Sequence, residues 1–185
     1  KATARNILSA IDWMNSKETK TTSESVFFYS GHGSTYDGYD DGDTEYTDEA
    51  IVSTDLYLIL DGQLRSKFST FASQKIAFIF DSCFSGGMDD LVNTGTGVPI
   101  DGRVAATASS ETEYSWEGDS TMQNGVYTYY LMDGLYAYNT VEEAHGYAAP
   151  FAHDYVLENY GAQMNPQLFD HYPTAADPLG NWSFV

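Results

Sequence analysis

Ile76-Ala77-Phe78-Ile79-Phe80-Asp81-Ser82-Cys83-Phe84-Ser85-Gly86-Gly87 is the stretch on which the fold turns. Its opening run of five apolar residues, bounded by turn-forming residues, predicts a strand buried on both faces. The run stops at a polar turn that holds the only cysteine of the chain, with two glycines close behind it. A second segment repeats the plan: Val26-Phe27-Phe28-Tyr29 leads straight into Ser30-Gly31-His32-Gly33. Two buried-type strands therefore each end on one half of a thiol–imidazole pair.

Outward from these strands the pattern alternates. Thr3 is a natural N-cap for a helix carrying Ala4, Ile7, Leu8, Ile11 and Met14 at helical spacing. Ile51-Val52 and Leu56 to Leu60 predict a short hairpin, and Asp61 is positioned to cap a helix with Leu64, Phe68 and Phe71 on one face. Gly102 to Ala108 predicts a further buried strand ending in a polar turn. Helices are expected at Val126 to Tyr138 and again from Thr140, where Thr140-Val141-Glu142-Glu143 forms a capping box, with Pro150 as a kink point; a short strand is expected at Pro166 to Asp170. Strands alternating with helices, joined by connections too long for hairpins, imply a single α/β domain over residues 1–185. Its sheet is mostly parallel, with ligands gathering at the carboxyl ends of the strands.

Composition narrows the partners. Eight Lys and Arg against 27 Asp and Glu give a formal charge of −19, a field that repels phosphate backbones and makes nucleic acid an unfavourable partner. The same field attracts cations, so basic peptides and calcium are the ligands it favours. Asp37, Asp40, Asp41 and Asp43, followed by Glu45 and Asp48, form an oxygen-rich loop of the kind calcium uses; a solvated acidic loop is the alternative reading. No apolar run reaches the 18 or more residues of a membrane span. One cysteine excludes an internal disulfide framework, and no zinc-helix histidine pair, Gly-x-Ser-x-Gly elbow or phosphate loop occurs. Few lysines beside 15 tyrosines suggest an extracellular or cell-surface protein.

A free thiol with a pKa of about 8.5 is mostly protonated at neutral pH, so a nucleophilic cysteine requires a neighbouring base or cation, most often histidine. Glycines flanking His32 and following Cys83 leave backbone N–H groups open to an approaching carbonyl.

Tyr29-Ser30-Gly31-His32-Gly33 and Asp81-Ser82-Cys83-Phe84-Ser85-Gly86 resemble the paired histidine and cysteine motifs of caspase-fold cysteine peptidases, nearest to metacaspases and their prokaryotic relatives. Fifty-one positions separate the two residues, against about 50 in caspases. The segment after Arg103 also looks like legumains, and the likeness runs from about residue 3 to residue 171. The resemblance implies a caspase-like three-layer sandwich. It implies Cys83 as nucleophile, His32 as its partner, and the N–H groups of Gly33 and Cys83 as the oxyanion hole. Asp81, with Ser30 beside it, matches the acid that selects Arg or Lys before the cleaved bond, and Ser110, Glu113 and Trp116 are candidates for the pocket wall. No cofactor is required by such chemistry, and the partner is a peptide or protein substrate.

Departures from the family pattern matter too. Phe84 stands where metacaspases have histidine, which leaves a legumain-like preference for Asn open, and a non-catalytic, acidic, calcium-binding module that keeps the fold is the rival from another class. Only about 25 residues precede Val26, whereas the fold begins with a further strand and helix. The expectation is that a separate amino-terminal fragment of the same precursor supplies that first strand.

Overall fold

The computed structural model describes residues 1–38 and 46–172. A four-stranded sheet in the order β1-β5-β6-β7 forms the centre, from β1 (Ser25–Ser30), β5 (Ile76–Asp81), β6 (Arg103–Thr107) and β7 (Gln167–Asp170). The first three strands are parallel and β7 is antiparallel, so the sheet is mostly parallel as expected.

Alternation along β5 assigns the layers. Ile76, Phe78 and Phe80 face a core closed by α1 (Ala4–Lys17) and α2 (Asp61–Phe68), with Ile11, Leu64, Phe68 and Leu91 buried among them. Ile79 faces the opposite side, against α3 (Val126–Ala137) and α4 (Val141–Tyr160), where Val126, Tyr127, Leu131, Ala148 and Val156 are buried. The strand is buried at every position, as a parallel sheet covered on both faces requires. Helices on either side of one sheet make the three-layer sandwich.

Thr3 caps α1, its Oγ1 accepting from the Asn6 N–H, and Thr140 caps α4 by accepting from the Glu143 N–H. Pro150 lies inside α4, which continues through it. Asp61 does not cap α2: it is the first helical residue, the cap position is Leu60, and the Gln63 side chain accepts from the Leu60 N–H. Phe71 lies beyond the helix end but still fills the core.

A second, three-stranded antiparallel sheet stands apart, in the order β2 (Gly33–Asp37), β3 (Thr47–Val52) and β4 (Leu58–Leu60). The expected hairpin is its β3–β4 half. β2 carries no apolar alternation and is held by pairing with β3. A 3-10 helix spans Ser85–Leu91 directly after the cysteine turn, tied to α2 by an Arg65–Asp90 ion pair.

Candidate active site

β1 and β5 are hydrogen-bonded neighbours in parallel register, with Ser30 opposite Asp81. His32 and Cys83 each lie two residues beyond that pair, so the two turns leave the same end of the sheet from strands only about 5 Å apart. The Gly31 N–H donates to the Asp81 carbonyl at 3.1 Å and carries the ladder one step past the strand. Gly33 then packs on the peptide of Cys83: a Cβ at Gly33 would collide with the Cys83 carbonyl oxygen and lie 3.2 Å from its nitrogen. Only glycine permits this approach, which brings the histidine turn against the cysteine turn.

Each turn is held from below. The Tyr29 hydroxyl lies 2.8 Å from the carbonyl oxygens of both His32 and Val52 and accepts from the Val52 N–H at 3.2 Å. That same N–H also donates to the His32 carbonyl at 2.9 Å. One tyrosine thus fastens the histidine turn to the end of β3, and burial pushes its phenol pKa up.

The cysteine turn is held by serines. Ser85 and Ser109 exchange reciprocal N–H to Oγ hydrogen bonds at 3.3 and 3.2 Å, and Ser109 Oγ donates to the Ser82 carbonyl at 3.1 Å. All three serines are fully buried. Phe84, one residue past the cysteine, adopts a left-handed backbone with φ 60°, which for a bulky residue marks a turn held by its surroundings. Cys83 is half-buried, with Sγ 3.8 Å from the Ser115 carbonyl.

Asp81 is 4% exposed and sits at the N-terminus of α3, where the N–H and the hydroxyl of Thr128 both donate to its Oδ2, at 2.9 and 2.6 Å. Burial raises its pKa, the Thr128 bonds oppose that shift, and the nearby Glu117 charge adds to it. Ser30 stands exposed beside it at the end of β1.

The other expected pocket residues divide. Glu113 is a fastener: its carboxylate accepts from the N–H of Ser110 and from the N–H and side-chain amide of Asn165, and these bonds, outweighing a burial effect in the other direction, hold its pKa low. Ser110 is held by that bond. Trp116 stacks on Tyr160 with centroids 4.7 Å apart, and its carbonyl accepts from the Val126 N–H at the start of α3. The Glu113 carbonyl accepts from the Phe84 N–H, so this loop does border the cysteine turn. Tyr29, Ser85, Ser109 and Glu117 were not singled out from sequence. Tyr29 lies within the histidine motif and Ser85 within the cysteine motif, whereas Ser109 and Glu117 carry no sequence signal that separates them from surface polar residues.

Of the acidic loop, Asp37 lies in β2 and accepts from the Thr47 hydroxyl; Asp40, Asp41 and Asp43 are outside the described residues. Among the described residues no group of three or more metal-ligating side chains is assembled. No described helix is long and apolar enough to cross a membrane.

A three-layer α/β domain that presents a cysteine and a histidine at the ends of adjacent parallel strands has the layout of a thiol peptidase. A family model for the caspase domain, a family of cysteine peptidases, matches residues 1–149, and the chain belongs to that family. No curated protein sequence matches. The fold is similar to the crystal structure of protein GSU0716 from Geobacter sulfurreducens, with a TM-score of 0.58 at 15% identity, covering 91% of this chain and 73% of that one.

Proposed function

We propose that the protein is a cysteine endopeptidase that cleaves after Arg or Lys. The observation that supports this reading is the packing of Gly33 on the Cys83 peptide at the ends of neighbouring strands, which brings the histidine turn against the cysteine turn. Cys83 Sγ, as thiolate, adds to the substrate carbonyl carbon, and the N–H groups of Gly33 and Cys83 receive the oxyanion. His32 delivers a proton to the departing amine as the C–N bond breaks, leaving a thioester. It then takes a proton from the water that cleaves the thioester, so the sulfur leaves as thiolate beside the protonated His32 and the starting pair is restored.

Asp81 supports the basic preference. Both Thr128 donors use Oδ2, so Oδ1 is the oxygen left to a guanidinium or ammonium, and Glu117 adds a second negative charge nearby. A peptide library randomised at the residue before the cleaved bond, read by mass spectrometry, tests activity and pocket charge together. Cleavage after Arg and Lys, abolished in Cys83→Ala and in His32→Ala, is expected. Cleavage after Asn or an acidic residue overturns the Asp81 assignment, and absence of cleavage favours the non-catalytic reading.

A second reading concerns β1. Among the described residues it is an edge strand of the sheet, its residues Val26 and Phe28 are 38% and 51% exposed, and a cavity of about 300 Å³ lies between it and α1. A free edge with apolar side chains is a template for another strand. This supports a strand from a separate amino-terminal fragment pairing there. Mass analysis under denaturing conditions checks it: a single 20.4 kDa species, active and monomeric, counts against it.

A further inference from the structure

The second half of the chain has an unusual charge. Between Val104 and Tyr172 there are ten Asp and Glu and no Lys or Arg. This is the half that builds α3, α4 and the Trp116 loop. Across it runs a continuous series of rings: Tyr147 to Phe151 at 4.9 Å, Phe151 to Tyr130 at 5.6 Å, Tyr130 to Tyr155 at 6.4 Å, Tyr155 to Tyr160 at 6.1 Å, and Tyr160 stacked on Trp116 at 4.7 Å. Phe151 is 47% and Tyr160 40% exposed, while Trp116, Tyr130, Tyr147 and Tyr155 are half-buried, so solvent reaches the series chiefly at Phe151 and Tyr160. Asp119 and Asp133 lie near enough to push the Tyr130 phenol pKa up, after burial and the neighbouring Tyr129. The last ring belongs to the loop whose Ser115 carbonyl faces Cys83 Sγ.

Aromatic faces attract Arg and Lys, Arg most of all because its planar guanidinium also stacks, and nearby carboxylates strengthen the attraction. An acidic surface without a single cation selects a basic partner and repels an acidic one. We infer that this aromatic and acidic surface is an exosite for an Arg-rich stretch of the polypeptide substrate lying outside the cleaved residues, an inference that rests on the peptidase reading above. The ring series runs from Tyr147 and Phe151 on α4 to Trp116, one residue from the Ser115 carbonyl that meets Cys83 Sγ. A substrate anchored on it has its scissile segment delivered to the cleft, which raises occupancy without changing the chemistry.

The test separates binding from cleavage. A fluorescently labelled Arg-rich peptide is titrated onto full-length Cys83→Ala protein by anisotropy, beside the same peptide with Arg replaced by Gln. The Arg peptide is expected to bind at least about tenfold tighter, and Phe151→Ala with Asp133→Asn should remove most of that advantage. Phe151→Leu, which keeps apolar bulk and loses the π face, guards against a folding defect. In the active protein the same changes should raise KM about fivefold for a substrate carrying an Arg-rich tail, leaving kcat and the cleavage of a short peptide unchanged. Equal binding of the Arg and Gln peptides, or undiminished binding by Phe151→Leu and the double variant, overturns the exosite. Arg-peptide binding without any cleavage by the active protein sinks the peptidase reading and leaves the surface standing.

Discussion

Tyr29 places one hydroxyl among three backbone groups, the carbonyls of His32 and Val52 and the Val52 N–H. His32 itself is exposed, so the anchoring of its turn is backbone anchoring, which Tyr29 shares with the Val52 and Gly31 N–H groups. Removing that hydroxyl loosens the histidine relative to a cysteine turn held separately by serines. Tyr29→Phe is therefore expected to lower kcat about tenfold with KM little changed, since small misplacements of a reacting group are costly. The rate of Cys83 alkylation should move toward that of His32→Ala, whereas a change confined to thermal stability would leave that rate where it is. His145 shows a different constraint on a single residue. Its Nδ1 meets the Tyr127 hydroxyl at 2.8 Å in the α3–α4 core, and burial lowers its pKa from 6.5 to about 4. Above pH 6.5 the ring is neutral in folded and unfolded chains alike and has no pH effect. As pH falls from 6.5 toward 4 the unfolded chain takes up the proton and the folded one does not, so stability is lost. At pH 5 this amounts to about 2 kcal/mol. Urea midpoints at pH 7 and pH 5 should show that loss in the native protein, and His145→Asn, which keeps an acceptor for Tyr127, should be flatter by about that amount.

At the level of elements, the joint between β5 and α3 serves two purposes. Asp81 ends the strand and satisfies donors in the first turn of the helix, so the carboxylate proposed to read the substrate also fixes α3. The arrangement has a stability cost. Because burial raises its pKa, the folded protein holds the Asp81 proton to a higher pH than the unfolded chain does; the group's stabilising contribution is present in acid and lost as pH rises through the folded value. Asp81→Asn keeps an acceptor for Thr128 and removes the buried charge. It should melt higher than the native protein at pH 7 and cleave Arg substrates at least about a hundredfold more slowly, relative to uncharged ones. Differential scanning calorimetry and paired peptide kinetics check the two halves. This joint also marks where sequence reading stops. The strands ending at Tyr29 and Phe80 were legible because a buried parallel strand is a local apolar run, and Cys83 and His32 because each follows its own strand directly. The Asp81–Thr128 contact joins residues 47 positions apart, and Glu113 to Asn165 joins residues 52 apart, so no local pattern announces either. β2 escaped for the same reason: Gly33 to Asp37 becomes a strand only through its pairing with β3. Asp61 looks like a cap in sequence because a carboxylate at a helix start is a common capping group, whereas the cap position is Leu60, whose N–H donates to the Gln63 side chain.

For the whole molecule, charge is distributed by halves. All eight Lys and Arg lie at or before Arg103, where they offset part of the acid content, while the α3–α4 half carries acids alone. Arg103 is the limit of this distribution in the interior. It is fully buried, donates to the Leu91 carbonyl and to Gln74 Oε1, and burial lowers its pKa to about 10, so it stays charged at neutral pH. Paired charges such as Arg65 with Asp90 are sheltered from salt, and exposed ones such as Lys67 with Asp12 contribute little. The dominant electrostatic effect is then self-repulsion of the acidic excess, and it opposes the compact state. Screening should relieve it: raising sodium chloride from about 0.05 to 0.5 M, which shortens the Debye length from roughly 14 to 4 Å, is expected to raise the melting temperature by a few degrees, about 1 kcal/mol. A melting temperature that falls with salt would mean that favourable surface pairs outweigh the repulsion. The same salt should weaken cleavage of a substrate with an Arg-rich tail while leaving a short one little affected, because long-range attraction is screened and a charge pair in a desolvated pocket is not. Opposite responses of stability and substrate capture to one variable would tie both to a single field.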